Sequence, residues 1–403
     1  MGNRETKMNL KKITLLISAM FLCSPAFADS GAGTVGLQFL NDDFSPRALG
    51  MGGAFVAVAD DAHAPDYNPA GLGQITYPEV SAMYYSGFDD AHTGAIHFGM
   101  LMPQVGFSKY ARPALGLSLI SASAGDITYR PLTSDLGPTM TKKVNAQQDY
   151  AFTATYAEKF FVGDIILEKL RFEDIEQYYG INIKYVRSTL VDEYTGNAFA
   201  GDLGYLLKHN RSGLSFGMAL TNMGSGVKYI DATTKMPSVA KSGLAWLIPT
   251  LKDHHLRLSF QGDFHLNENY FVYRMGAEYL FDKFISVRMG YIGHEDNPAF
   301  TLGVSLKYDD LSIDIGTTAG NNLYNKTMAS LNYRFSGLAY KTPAIKKRKF
   351  RGIEEKVADP VGTKKQAPYA KEQTQRESQV ADPIMTPARK EKTTGSAGLF
   401  LLY

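Results

Sequence analysis

The stretch Thr327-Met-Ala-Ser-Leu-Asn-Tyr-Arg-Phe335 alternates without a break, with Ala329, Leu331, Tyr333 and Phe335 on one face and Met328, Ser330, Asn332 and Arg334 on the other. A period of two identifies a β-strand. One apolar face, one polar face and a final aromatic suit a wall that meets lipid outside and water inside, so the stretch reads as the closing strand of a membrane β-barrel. Working back to Tyr77, about fourteen strand-like segments can be marked: 78–87, 92–101, 114–123, 147–157, 178–188, 197–208, 212–221, 238–247, 254–264, 270–281, 284–291, 298–307, 310–318 and 327–335. The number is even, as bacterial barrels require, and most segments are near the roughly 9 to 11 residues that cross a bilayer as tilted strands.

Other segments share the pattern. Leu256, Leu258, Phe260 and Phe264 oppose Arg257, Ser259, Gln261 and Asp263, while Phe300, Leu302, Val304 and Leu306 oppose Thr301, Ser305 and Lys307. A soluble β-sandwich also alternates, but seldom through so many consecutive hairpins. Connection lengths follow a parity, with tight turns at His209-Asn-Arg211, Asp282-Lys283 and Tyr308-Asp309 and longer loops after odd-numbered strands, 124–146 being the longest. This predicts periplasmic termini and short periplasmic turns. Segment 102–113 is long for such a turn, and 158–177 contains Asp164-Ile-Ile-Leu-Glu-Lys-Leu170, whose spacing predicts a helical periplasmic excursion. Trp246, Tyr156, Tyr185, Tyr279 and Tyr291 near strand ends are expected in interfacial girdles.

At the N-terminus, Arg4, Lys7, Lys11 and Lys12 precede an apolar run over 13–23, and Ala26-Phe-Ala28 offers small residues for cleavage, predicting a signal peptide over 1–28. Leu22 before Cys23 argues against a lipoprotein anchor, so the single cysteine leaves with the signal. A net charge of +2 gives no sign of a nucleic-acid partner. After the signal no apolar run reaches the roughly 18 residues of a membrane helix, so any embedding must use strands.

Residues 29–77 are too long and too apolar for a linker. Gly50, Gly52 and Gly53 allow close backbone approach, and Asn68-Pro69-Ala70-Gly71 has turn chemistry. No Lys-Ser/Thr pair follows the glycines, which excludes a phosphate loop. The segment is predicted to plug the lumen of a barrel over 78–335. Pro46-Arg-Ala-Leu-Gly-Met-Gly-Gly-Ala-Phe-Val-Ala-Val-Ala-Asp-Asp61 followed by Tyr67-Asn-Pro-Ala-Gly-Leu72 resembles the N-terminal signature of PorV/PorQ outer-membrane proteins and their FadL relatives. The resemblance implies a fourteen-stranded barrel with an N-terminal hatch, whose motif comprises Arg47, Gly50, Gly52, Gly53, Asp60, Asp61, Asn68, Pro69, Ala70 and Gly71. It also implies one of two functions. FadL proteins pass hydrophobic molecules, whereas PorV serves type IX secretion.

Alternation turns Lys184, Lys241, Arg257, Arg274, Arg288, Lys307 and Arg334 inward, against Asp202, Asp263, Glu278 and Asp314. Two readings stand side by side. In one, Lys184, Arg257, Arg274, Glu278, Arg288, Lys307 and Arg334 contact an amphipathic ligand with an anionic head. In the other, the charges neutralise one another across strands. Chemistry is poorly supported: Asp60-Asp61 with His63 lacks a nucleophile elbow or a His-x-x-x-His pair, and the adjacent His254 and His255 point to opposite faces of a strand, so neither a cofactor nor a metal is expected. The tail 336–403, with its Lys346-Lys-Arg-Lys349 cluster and final Gly398-Leu-Phe-Leu-Leu-Tyr403, reads as mostly disordered and periplasmic, a candidate contact for secretion-system or cell-wall partners.

Overall fold

Fourteen antiparallel strands close into one barrel. In chain order they are β1 Glu79–Ser86, β2 His92–Leu101, β3 Ala114–Ser123, β4 Gln147–Leu167, β5 Leu170–Leu190, β6 Tyr194–His209 and β7 Leu214–Gly224. The second half comprises β8 Val239–Leu251, β9 His254–His265, β10 Tyr270–Phe281, β11 Ile285–Gly293, β12 Ala299–Tyr308, β13 Leu311–Gly320 and β14 Thr327–Arg334. Each pairs with its sequence neighbours, and β1 closes on β14 in a register that sets Glu79 opposite Arg334 and Ser86 opposite Thr327. The computed structural model describes residues 33–351 except 88–89, 103–106, 108–112, 130–140, 168–169, 252, 282–283, 295–297, 321–324 and 339–347. The expected signal peptide and the tail past residue 351 lie outside the described residues, as does most of 102–113.

The alternation read in the sequence is the wall itself. Along β12, Thr301, Gly303 and Ser305 are buried toward the lumen, while Phe300, Leu302, Val304 and Leu306 are exposed on the outside. Ile96, Leu117, Ile183, Phe199, Met289 and Leu331 continue the exposed apolar band around the ring. So large an apolar surface suits lipid rather than water. Trp246 stands on this outer face, its indole N–H donating to the Ser212 carbonyl at 2.9 Å. No helix among the described residues is long and apolar enough to cross a membrane, which leaves the strands to do so.

All fourteen predicted strands are present, and two are about ten residues longer than expected. The expectation of a helix at 164–170 is incorrect: β4 and β5 continue as one hairpin, pairing Val162 with Glu176, Ile165 with Phe172 and Leu167 with Leu170. Residues 170–177 supply an antiparallel partner for 161–167, and the β-branched Ile165 and Ile166 accept the extended form, so pairing overrides the helical spacing. The hairpin overhangs the end of the barrel at which β1 begins and β14 ends, here termed the near end.

The N-terminal segment crosses the lumen. Gly36 N–H donates to the Lys235 carbonyl at 3.0 Å, and Lys235 belongs to the connection between β7 and β8 at the far end. From there the chain passes through two short helices, α1 Pro46–Gly50 and α2 Ala64–Tyr67, to reach β1 at the near end. The barrel's own ends, Glu79 and Arg334, therefore share one side, whereas Val35 lies at the other. Ser45 caps α1 by accepting from Ala48 N–H at 3.3 Å, with Pro46 in the first turn. Asn68 caps the following 3₁₀ turn, Pro69–Gln74, by accepting from Ala70 N–H at 3.1 Å.

Candidate functional site

Inward glycines make the room that the N-terminal segment occupies. A Cβ on Gly180 of β5 would collide with the Pro69 backbone, one on Gly204 of β6 with the Asn68 side chain, and one on Gly217 of β7 with the Val56 carbonyl. Across the ring, a Cβ on Gly276 of β10 or Gly290 of β11 would strike the backbone at Met51 and Gly52, and one on Gly303 of β12 would stand 3.0 Å from the Gly50 Cα. Gly99, Gly116, Gly243 and Gly316 complete a belt on ten of the fourteen strands. Gly52 itself sits at φ +65°, where a Cβ would lie 2.7 Å from the Met275 carbonyl, so both its conformation and its surroundings require glycine.

Polar contacts bind the segment to this belt. Phe55 and Val56 N–H both donate to Gln261 Oε1 of β9, at 2.9 and 2.8 Å, and Gln261 in turn donates to Asp263 at 2.7 Å. Asn68 donates to the carbonyls of Val56 and Tyr205 at 2.8 and 3.0 Å. Gly52 N–H donates to Thr301 Oγ1 of β12 at 2.9 Å. These contacts tie buried backbone donors of the segment to polar side chains of the wall.

Below the belt, toward the near end, Arg47 reaches Asp60 at 2.6 Å, Asp61 at 2.7 Å and Glu278 of β10 at 3.1 Å. Glu278 also accepts from Arg257 of β9 at 3.2 Å and Arg288 of β11 at 2.8 Å, so one carboxylate faces three guanidiniums. Arg257 bonds Asp60 at 3.0 Å and Arg288 bonds Asp314 of β13 at 2.9 Å. Burial alone would raise the Asp60 and Asp61 pKa values. The Arg47 and Arg257 charges hold Asp60 below its usual value, and the His63 hydrogen bond with Arg47 does the same for Asp61. These groups border a cavity of about 310 Å³ that reaches exposed Lys307 and half-buried Asp310 at the near rim, with Ser286, Ser305 and Ser312 on its wall.

Of the candidate ligand contacts, Arg257, Glu278, Arg288, Lys307 and Arg334 line this cavity, while Lys184 and Arg274 stand apart. Lys184 pairs with Asp202 at 2.8 Å and donates to Asn222 at 2.9 Å, and Arg274 pairs with Asp263 at 2.7 Å. Arg334 pairs with Glu79 at 2.7 Å. Cross-strand neutralisation thus accounts for five of the inward cations, and among the described residues only Lys241 and Lys307 of that set form no ion pair. Asp43, Asp60, Asp61, Glu79 and Gln261 complete the network. Sequence alternation could not assign the first three because they belong to the non-repeating N-terminal segment.

Ser81, His63 and Asp61 form a chain with a superficial likeness to a hydrolase triad. Ser81 Oγ lies 3.0 Å from His63 Nε2, and His63 Nδ1 lies 3.6 Å from Asp61. Proton accounting runs the other way: Asn332 donates to Asp314 at 2.6 Å, which turns its carbonyl oxygen to Ser81 at 2.5 Å, so Ser81 spends its proton there and His63 must donate to Ser81. The imidazole is no base for this hydroxyl. Burial would lower the His63 pKa, but the hydrogen bond and charge of Asp61, with the charges of Asp66 and Asp314, raise it above its ordinary value. A raised folded-state pKa contributes stability below the unfolded value of about 6.5, and that stability is lost as pH rises through the folded pKa. Wild-type thermal stability is therefore expected to fall across this window by more than that of His63→Gln. Parallel profiles in a melting series from pH 5 to 9 would remove His63 from the account.

The far half of the lumen carries an apolar cluster beside the buried Lys184–Asp202 and Arg274–Asp263 pairs. Leu37, Leu40 and Phe44 of the segment pack with Met83, Ala95, Ile120, Ala151 and Val186 of β1 to β5. Fourteen lipid-facing strands around a lumen so filled define a transmembrane β-barrel of the outer-membrane type. No family model and no curated protein matches the chain. Among solved structures it is similar to the Ralstonia pickettii toluene transporter TbuX, with 13% identity over 72% of this chain and 98% of that chain and a TM-score of 0.48. It is also similar to a TodX deltaS2S3 mutant monoaromatic hydrocarbon channel, with 10% identity over 72% and 97% and a TM-score of 0.44. The Acinetobacter baumannii outer membrane protein Omp33 aligns with 11% identity over 65% and 100% at a TM-score of 0.38.

Proposed function

We propose that the protein is an outer-membrane channel for hydrophobic or amphipathic small molecules, in which residues 29–77 act as a luminal plug and the near end faces the periplasm. The observation that carries this reading is the division of the lumen. An apolar cluster around Leu37, Leu40 and Phe44 lies in the far half, on the side of β1 to β5, and a charged cavity of about 310 Å³ lies at the near end, with the plug between them. A molecule with an apolar body and an anionic head would meet each part in turn, and Lys307 is the cavity-lining cation that forms no ion pair among the described residues. In nanodiscs, corrected for empty discs, Lys307→Gln is expected to weaken saturable dodecanoate binding about fivefold and to leave dodecanol unchanged. Equal effects on both would refute the head-group role. Absence of saturable binding to the wild type would refute the channel.

A second reading, an accessory role in protein secretion like that of PorV, is favoured by the overhanging β4–β5 hairpin and the extension beyond β14, neither of which the channel reading uses.

A further inference from the structure

The overhang runs past the mouth of the lumen, and its base at Glu158 and Tyr178 packs against the N-terminal segment at Gly73 and Ala70. β3 begins at Ala114, opposite Ala157, so β4 runs on through 158–167 past the start of that neighbour, about 30 Å at roughly 3.3 Å per residue. On the other side β6 follows β5 only as far as the pair Ile175 and His209. Among the described residues a single strand lies along the outer edge of β4 there. It is Arg348–Arg351, which places Arg348 opposite Gly163, Lys349 opposite Asp164, Phe350 opposite Ile165 and Arg351 opposite Ile166. This pairing is parallel, whereas all pairings between barrel strands are antiparallel.

Charge points the same way. Segment 158–176 carries six acidic and three basic residues, and 341–351 carries six basic residues and no acid. An open strand edge is a template for another strand, and main-chain bonding along it gives affinity while charge selects the partner. A parallel ladder of four residues is a weak occupant, held by its tether to β14. We propose that the β4 edge is a docking site for an extended, basic peptide segment of another protein, and that residues 348–351 are the intramolecular strand which such a partner displaces. The proposal is independent of transport, since no lumen residue enters it.

A fluorescein-labelled peptide of sequence 345–354 tests it by anisotropy against the full chain. Phe350→Pro removes a backbone donor from the tethered strand and frees the edge, so this variant is expected to bind the peptide about tenfold more tightly than the wild type. Binding should weaken several-fold when salt rises from about 0.05 to 0.5 M. A variant in which 163–175 is replaced by Asn-Gly keeps the barrel registers and should not bind. Equal affinities for wild type and Phe350→Pro, undiminished binding to the shortened hairpin, equal binding of a scrambled peptide of the same charge, or no binding to any form would each overturn the proposal.

Discussion

Glu278→Gln is expected to destabilise the folded barrel by about 3–5 kcal/mol, the penalty for removing one partner from a buried ion cluster. Glu278 is 7% exposed and, among the described residues, is the only group that contacts Arg47, Arg257 and Arg288 together. Without its charge, Asp60, Asp61 and Asp314 must balance three guanidiniums. Those carboxylates already accept hydrogen bonds from the same arginines, so they have little left to offer. Urea unfolding in lipid vesicles would measure the change, and a loss below about 1 kcal/mol would show that solvent in the cavity screens the cluster. The double variant Arg47→Met with Glu278→Gln should be less destabilised than the two losses summed, because the first change removes one of the three guanidiniums that lose Glu278 as an acceptor.

Gly180→Val is expected to expel the Pro69–Ala70 turn while leaving the wall intact. The added carbons meet main-chain atoms, which cannot rotate away as a side-chain tip could. Overpacking of this kind costs about 1–3 kcal/mol where the surroundings can shift and more where they are backbone. Residues 46–75 should then spend enough time unseated for trypsin to cut after Arg47 at least tenfold faster, on the order of the matching shift in local opening. Ionic conductance in planar bilayers should rise with it. Gly94→Val serves as the control, since Gly94 lies on the outer face of β2 and a Cβ there would find only the Met83 carbonyl, at 3.8 Å. If Gly180→Val resists trypsin as the wild type does, the belt does not determine how the segment seats.

The two predictions concern features of unequal visibility in the sequence. The wall was legible because its period of two repeats fourteen times, and the aromatic ends and connection parity reinforced it. Its limits were less legible: β4 and β5 run past the membrane span because each supplies the other's hydrogen bonds, a property of the pair that neither segment reveals alone. The inward arginines were correctly placed by alternation. Two of their partners, Asp43 and Asp60, lie about two hundred residues away in a segment with no periodicity, so neither cargo recognition nor neutralisation could be chosen before the pairs were seen. The glycine belt is a harder case still. Each member looks like an ordinary weak point in a strand, and only the closed ring brings Gly180, Gly217, Gly290 and Gly303 against one stretch of chain, residues 50–70.

Val35 lies beside Lys235 at one end of the ring and Glu79 opens β1 at the other. The segment between them is therefore threaded, like a cord through a bead. Sideways escape is barred by the continuous β1–β14 seam, and lengthwise withdrawal would have to draw Phe44, α1 and α2 through the narrowest part of the lumen. The seam must accordingly zip up around chain that is already in place. An epitope placed just ahead of Thr34 would also be displayed on the opposite side of the membrane from one placed just after Phe335, so the barrel presents its two ends to two different compartments.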